Sequence, residues 1–154
     1  MLIDRTLTIL FLRLATIYGI ICIFSFSILT EEKRFSLIVE VAAVKGSSGY
    51  LQYALYDQAS SFATRQGQLL SGRVPAVFPV TQFRIRGLRS GTYALAIFHD
   101  ANSNSEFDQG FLGIPLEDYG FSNDAMGLFK APNFSDAKFN LRQHKNKIKL
   151  TLKR

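Results

Sequence analysis

The stretch SGTYALAIFHDANSNSEFD, Ser90 to Asp108, decides how the rest of the chain is read. A Ser-Gly turn leads straight into an almost wholly apolar segment from Thr92 to Phe98. Such a run, bounded by turn residues, predicts a central strand covered on both faces. The character then inverts. Oxygen-bearing side chains recur at alternate positions, Asp100, Asn102, Asn104, Glu106 and Asp108, with Glu117 and Asp118 further on. From Phe98 to Asn123 there is no Lys or Arg, in a chain of formal net charge +6.

Outward from this stretch the pattern is one of strands. Phe35 to Val44 is rich in β-branched residues and places Leu37, Val39 and Val41 on one face. KGSSG supplies a turn, and Tyr50 to Asp57 alternates Leu51, Tyr53 and Leu55 against Gln52 and Ala54. The pair reads as a hairpin or as neighbouring strands. Gln58 to Pro79 has no clear period and is expected to be a loop with one helical turn at most. Strand character returns in TQFRIRGL, Thr81 to Leu88, and again in KFNL and KIKLTLK near the end. Short strands with turn signals and no alternating helices predict an all-β fold, an antiparallel β-sandwich.

The first thirty residues are of another kind. Arg5 and Arg13 precede or interrupt an apolar run, and Leu14 to Leu29 carries no charge. Residues 1–30 therefore read as a signal peptide or an N-terminal membrane anchor, and 31–154 as a single domain. The one cysteine, Cys22, lies inside this block behind Ile21, which argues against lipoprotein processing. The remaining chain has no cysteine, so its stability must come from an apolar core rather than from disulfides.

The last segment, Arg142 to Arg154, has six basic residues and no acidic one. Lys147, Lys149, Thr151 and Lys153 alternate with Ile148, Leu150 and Leu152, as in a strand with one face in water. Without interleaved aromatics this is read as a solvated, aggregation-resistant strand and not as a nucleic-acid site.

Two chemical readings of the acidic stretch stay open. Asp100-x-Asn102-x-Asn104-x-x-x-Asp108 has the spacing with which calcium loops offer oxygens, and Glu106 can add its carbonyl. Ser105 and Phe111 stand where an EF-hand has its glycine and its closing glutamate, so Glu117 or Asp118 must complete the shell. The other reading is a metal-free loop folded on itself through Asx turns. A hydrolase built on His99, Asp100 and Ser122 is disfavoured, because adjacent strand residues point to opposite faces. Two histidines and no cysteine beyond the leader leave little from which to build a zinc site.

Three segments carry a resemblance: GTYALAIFHDANSNSEFD, GIPLEDYGFSNDA and APNFSDAKF. Together they resemble a family of exported bacterial proteins, domain of unknown function family 2141, over roughly Phe35 to Leu152. The matching positions are His99, Asp100, Asn102, Asn104, Asp108, Gly113, Ile114, Pro115, Glu117, Gly120, Phe121, Ser122 and Asn123. Relatives usually have Gly where this chain has Ser103 and Ser105, a poorer fit if the backbone there is left-handed. The resemblance implies an immunoglobulin-like or transthyretin-like sandwich in the periplasm or on the outer surface of a Gram-negative bacterium, and supplies no activity. The expectation is thus an exported binding or structural module. Its metal ligands would be Asp100, Asn102, Asn104, Glu106, Asp108 and Glu117, with calcium as the ion. Its partner-facing residues would be His99, Tyr119, Phe121, Ser122 and Asn123, toward an envelope protein or glycan. Membrane contact is expected only through an uncleaved leader. The alternative is a hydrolase of envelope polymers or sugars working through the loop carboxylates.

Overall fold

Strand β5, Gly91–Asp100, is the axis of the fold. It extends two residues beyond the apolar run, so His99 and Asp100 are strand residues. Tyr93, Leu95 and Ile97 point into the main core, while Ala94 joins a second cluster on the opposite face. Both faces are covered, as the unbroken apolar run requires. The computed structural model describes residues 32–128, 130–142 and 146–154. The leader assigned to residues 1–30 lies outside them.

Among the described residues eight strands form two sheets: β1 (Phe35–Ala42), β2 (Tyr50–Tyr56), β3 (Leu70–Pro75), β4 (Val80–Leu88), β5, β6 (Tyr119–Phe121), β7 (Phe139–Leu141) and β8 (Lys147–Thr151). One sheet has the order β4-β1-β8 and the other β3-β2-β5-β6, with β7 also paired to β5. The fold is an all-β sandwich. Among the described residues every strand pairing is antiparallel except one, since β8 runs parallel to β1. Leu37, Val39 and Val41 from β1, Leu51 and Leu55 from β2, Leu95 from β5 and Leu150 from β8 are wholly buried between the sheets. On the outer face of β5, Phe62 packs edge-on against Phe121 and Phe134. A single helical turn, α1 (Phe134–Ala137), brings Phe134 there. The alternation in the basic tail is that of β8, where Lys147 and Lys149 face water and pair with Glu40 of β1.

Two expectations need correction. β1 and β2 are not a hairpin, because they belong to opposite sheets and residues 43–49 cross between them. Both strands send an apolar row inward, which a sandwich satisfies better than a flat pair does. The second correction is β3, read as loop. Its Ser71-Gly72 pair looks like a turn, yet the strand pairs with β2 along its length, Gly72 opposite Tyr53. A Cβ at Gly72 would lie 2.5 Å from the Tyr53 hydroxyl and 2.7 Å from Cζ. The glycine makes room for a ring that packs 4.9 Å from Phe83 across the core.

We therefore expect Gly72→Val to lower stability by about 1–3 kcal/mol through overpacking. In a Tyr53→Ala background most of that cost should vanish, a coupling measurable by urea unfolding of the four proteins. Equal costs in both backgrounds would show that the ring is not the obstacle.

Candidate functional site

β5 carries the chain to one end of the sandwich and delivers Asp100 there. His99 and Asp100 diverge, as neighbours on a strand must. The His99 ring meets the Ser48 carbonyl through Nε2 at 2.9 Å, and its backbone amide donates to Asp118 O. Asp100 is fully buried. Its Oδ1 accepts from the Asn104 amide at 3.0 Å, and its Oδ2 from the Ser105 amide at 2.9 Å and Gln52 Nε2 at 2.8 Å. Gly49, at φ +69°, backs this point; any side chain there would run into the Asp100 carbonyl.

From Asp100 the chain makes two successive Asx turns. Asn102 Oδ1 accepts from the Asn104 amide at 3.1 Å, and Asn104 Oδ1 from the Glu106 amide at 2.8 Å. The amide groups of the same two asparagines donate to the Asp108 carboxylate, at 2.7 Å from Asn102 and 3.1 Å from Asn104. The Asp108 amide in turn donates to Glu117 Oε2 at 3.1 Å. Five expected ligand residues, Asp100, Asn102, Asn104, Asp108 and Glu117, are thus joined in one knot. Glu106 contributes its amide, while its side chain faces solvent.

Burial raises the proton affinity of Glu117 above the usual carboxylate range. The neighbouring charges of Asp108 and Asp100 push the same way, against hydrogen bonds from the Asp108 and Ala101 amides. Asp118, one residue on, is held differently. Lys45 Nζ lies 2.7 Å from its Oδ1 and Arg154 Nε 3.9 Å from the same atom. Among the described residues no three carboxylates, imidazoles or thiols gather about one point. A hard cation would therefore draw on the Asn102 and Asn104 amides too. Half a turn of each amide would aim an oxygen at that point, at the expense of the two Asx turns, whose backbone amides would then face an NH2 group.

The partner-facing residues are not brought to this knot. Phe121 is buried in the second core cluster, and Tyr119 is half-buried with rings of Phe107 and Phe121 against it. Ser122 is fully buried; it accepts from the Leu95 amide and donates to Ala137 O. Asn123 donates to the carbonyls of Asp136 and Lys138 and holds α1 in place. These four build the sandwich beside β5, and burial takes Phe121 and Ser122 off any contact surface. The sequence reading missed Gln52, Lys45 and Gly49, which come from β2 and the crossing before it, distant in sequence and adjacent only after folding. It also missed Phe107, whose ring bridges Phe98 and Tyr119 and fixes the loop to the sheet. A lone aromatic between the polar runs Asn102 to Glu106 and Asp108 to Gln109 was the available signal.

Ser103 and Ser105 sit at φ +62° and +64°, in the left-handed region that favours glycine. The profile of a bacterial family described as an uncharacterized protein conserved in bacteria (DUF2141) matches residues 39–149. Comparison with curated proteins and with solved structures gives no match.

Left-handed backbone costs a residue with a Cβ about 1–2 kcal/mol, against which Gly loses about 0.5–1 kcal/mol of chain entropy. Ser103→Gly and Ser105→Gly should each stabilise the domain by roughly 0.5 kcal/mol, the difference between those costs, and thermal melting reads this directly. Glu117 supplies a pH test. Its folded proton affinity exceeds the unfolded one, so its contribution to stability is fullest below the unfolded pKa and is lost as pH rises through the folded value. Glu117→Gln should therefore raise the metal-free melting temperature at neutral pH and flatten its fall above mildly acidic pH; an unchanged profile would refute this account.

Proposed function

The chain belongs to this family of uncharacterized bacterial proteins, DUF2141, and from that premise we propose that it is an exported, envelope-resident binding module whose 100–118 loop takes up calcium. The observation that carries the proposal is the bonded knot of Asp100, Asn102, Asn104, Asp108 and Glu117. Five oxygen-bearing residues spread over eighteen positions are joined in one network, side chain to side chain around Asp108 and through backbone amides at Asp100 and Glu117. Two of the three carboxylates, Asp108 and Asp100, raise the proton affinity of the third, Glu117. A divalent cation would relieve that repulsion and satisfy the oxygens in one step. Export is supported by the basic start and the uncharged Leu14 to Leu29 run. A module rather than an enzyme is the reading supported by His99, which is bonded to the Ser48 carbonyl, and by Ser122, buried between the Leu95 amide and the Ala137 carbonyl, so that neither stands ready as base or nucleophile.

Calcium would act here as an ordering ion. It would tie Asp108 and Glu117 to the end of β5 and so fix the segment between them, Gln109 to Leu116. No chemistry on a substrate is required of it.

Calcium added to the purified chain should raise the melting temperature, and chelator should reverse the rise. Asp108→Asn keeps the size but turns one accepting oxygen into a donor and removes a charged ligand, so the comparison is made within the variant, whose melting with calcium and with chelator should be the same. Identical melting with calcium and with chelator in the unmutated chain would sink the proposal.

A further inference from the structure

One long side of the sandwich is sealed and the other is open. On the sealed side the chain beyond β8 bonds to β6, the Tyr119 and Lys153 amides each donating to the other's carbonyl at 2.9 and 2.8 Å. Asp124 Oδ1 also accepts from the Thr151 amide at 2.6 Å. On the opposite side β3 and β4 are the outermost strands of their sheets. Among the described residues no backbone hydrogen bond joins these two strands, which meet only through the 76–79 crossing. β3 is short and closes on Pro75, a guarded edge. β4 is nine residues long. Its far end is taken up, because the register with β1 shifts between Ile85 and Leu88 and the Gly87 carbonyl accepts from Arg34 Nη1. Val80 to Arg86 remains a row of backbone groups paired to β1 along one side alone.

The side chains of that row divide by face. Inward, Phe83 lies 4.9 Å from Tyr53, and both are half-buried, as are Leu70 and Val74 of β3. These are core residues at the rim where the two sheets part. Outward stand Gln82, Arg84 and Arg86, all exposed. Among the described residues neither arginine has a carboxylate partner. Glu40, opposite Gln82 on β1, is held by Lys147 and Lys149.

Charges on an edge strand discourage a second copy from pairing there. Antiparallel self-pairing about residue 84 or 85 would set Arg84 against Arg84 or against Arg86, and like charges directly opposite are destabilising. The same two cations favour an added strand whose outward side chains are acidic. By contrast the apex of the 101–118 connection, where Phe111, Leu112, Ile114 and Leu116 are exposed, carries no charge to choose a partner.

We propose that Val80 to Arg86 takes up an extended acidic segment of a partner protein as an added strand. The segment's backbone would continue the β4-β1-β8 sheet. Its apolar side chains would cover Phe83 and Tyr53, and its carboxylates would meet Arg84 and Arg86. The edge shares no residue with the 100–118 loop, and its use depends neither on calcium nor on export.

The probe is a fluorescein-labelled heptapeptide alternating glutamate and valine, added to the purified full-length chain. Binding is read by anisotropy, and amide hydrogen exchange locates it. The expected result is binding in which amides between Val80 and Arg86 that exchange freely without peptide become protected. Arg84→Glu together with Arg86→Glu should weaken that binding about tenfold or more and let the chain take the matching lysine–valine peptide instead. Uptake of the lysine peptide shows at once that the variant is folded. A glutamate–valine peptide N-methylated at every residue keeps the charge but has no donor for the edge, and should bind about tenfold more weakly or worse. Equal binding of the N-methylated peptide, or binding without protection in β4, assigns the attraction to charge alone and overturns the proposal. No binding of the unmethylated peptide at millimolar concentration overturns it too. Protection of β4 that grows with protein concentration in the absence of peptide assigns the edge to a second copy, which also overturns it.

Discussion

The two oxygens of Asp100 are sealed from water at the end of the central strand, and three donors hold them: Gln52 from β2 and the amides of Asn104 and Ser105. A buried carboxylate is tolerable only when its hydrogen bonds are made. That demand ties the first turn of the loop to the sheet and obliges residues 101–105 to curl back over the strand they have just left. Ser103 and Ser105 accept left-handed backbone to do so. Everything beyond them, the two Asx turns, Asp108, Glu117 and the apolar apex, hangs from this one anchored curl.

Much of the fold could be read from the residues because burial left its period in the sequence. β1, β5 and β8 are visible for that reason: Leu37, Val39 and Val41 alternate, β5 is apolar throughout, and β8 alternates lysine with Ile148 and Leu150. β3 was hidden by Gly72, whose missing side chain serves Tyr53 rather than a turn. Which sheet a strand joins is a further step that period cannot encode. β1 and β2 show the same inward rows whether they pair with each other or face each other across the core.

The site was legible in part for a different reason. The alternation of Asp and Asn reports a local geometry, turn after turn, so its members could be named without the fold. Tyr119, Phe121, Ser122 and Asn123 follow in an equally distinctive motif, but their distinctiveness belongs to architecture. Ser122 satisfies a β5 amide at a polar point inside an apolar surround, and the exposed Asn123 holds the carbonyls at the end of α1. A buried serine with two backbone partners and a surface serine awaiting a ligand look the same in a sequence. The apex was overlooked by the opposite error, since Phe111, Leu112, Ile114 and Leu116 are residues normally assigned to a core.

The charge of this end of the molecule is divided by depth. Asp100, Glu117 and Asp118 are buried at the base, with Asp118 set against Lys45 and Arg154. Glu106 and Asp108 lie further out, and the apex beyond them is neutral. Partly exposed pairs such as Lys45–Asp118 contribute little to stability on their own. Their effect is positional. By holding two cations beside the loop's base they offset part of its acidic charge and tie the 43–49 crossing and Arg154 to the strand that follows the loop. The carboxylates at the knot are left as the unbalanced component, with Glu117 already drawn toward its protonated form.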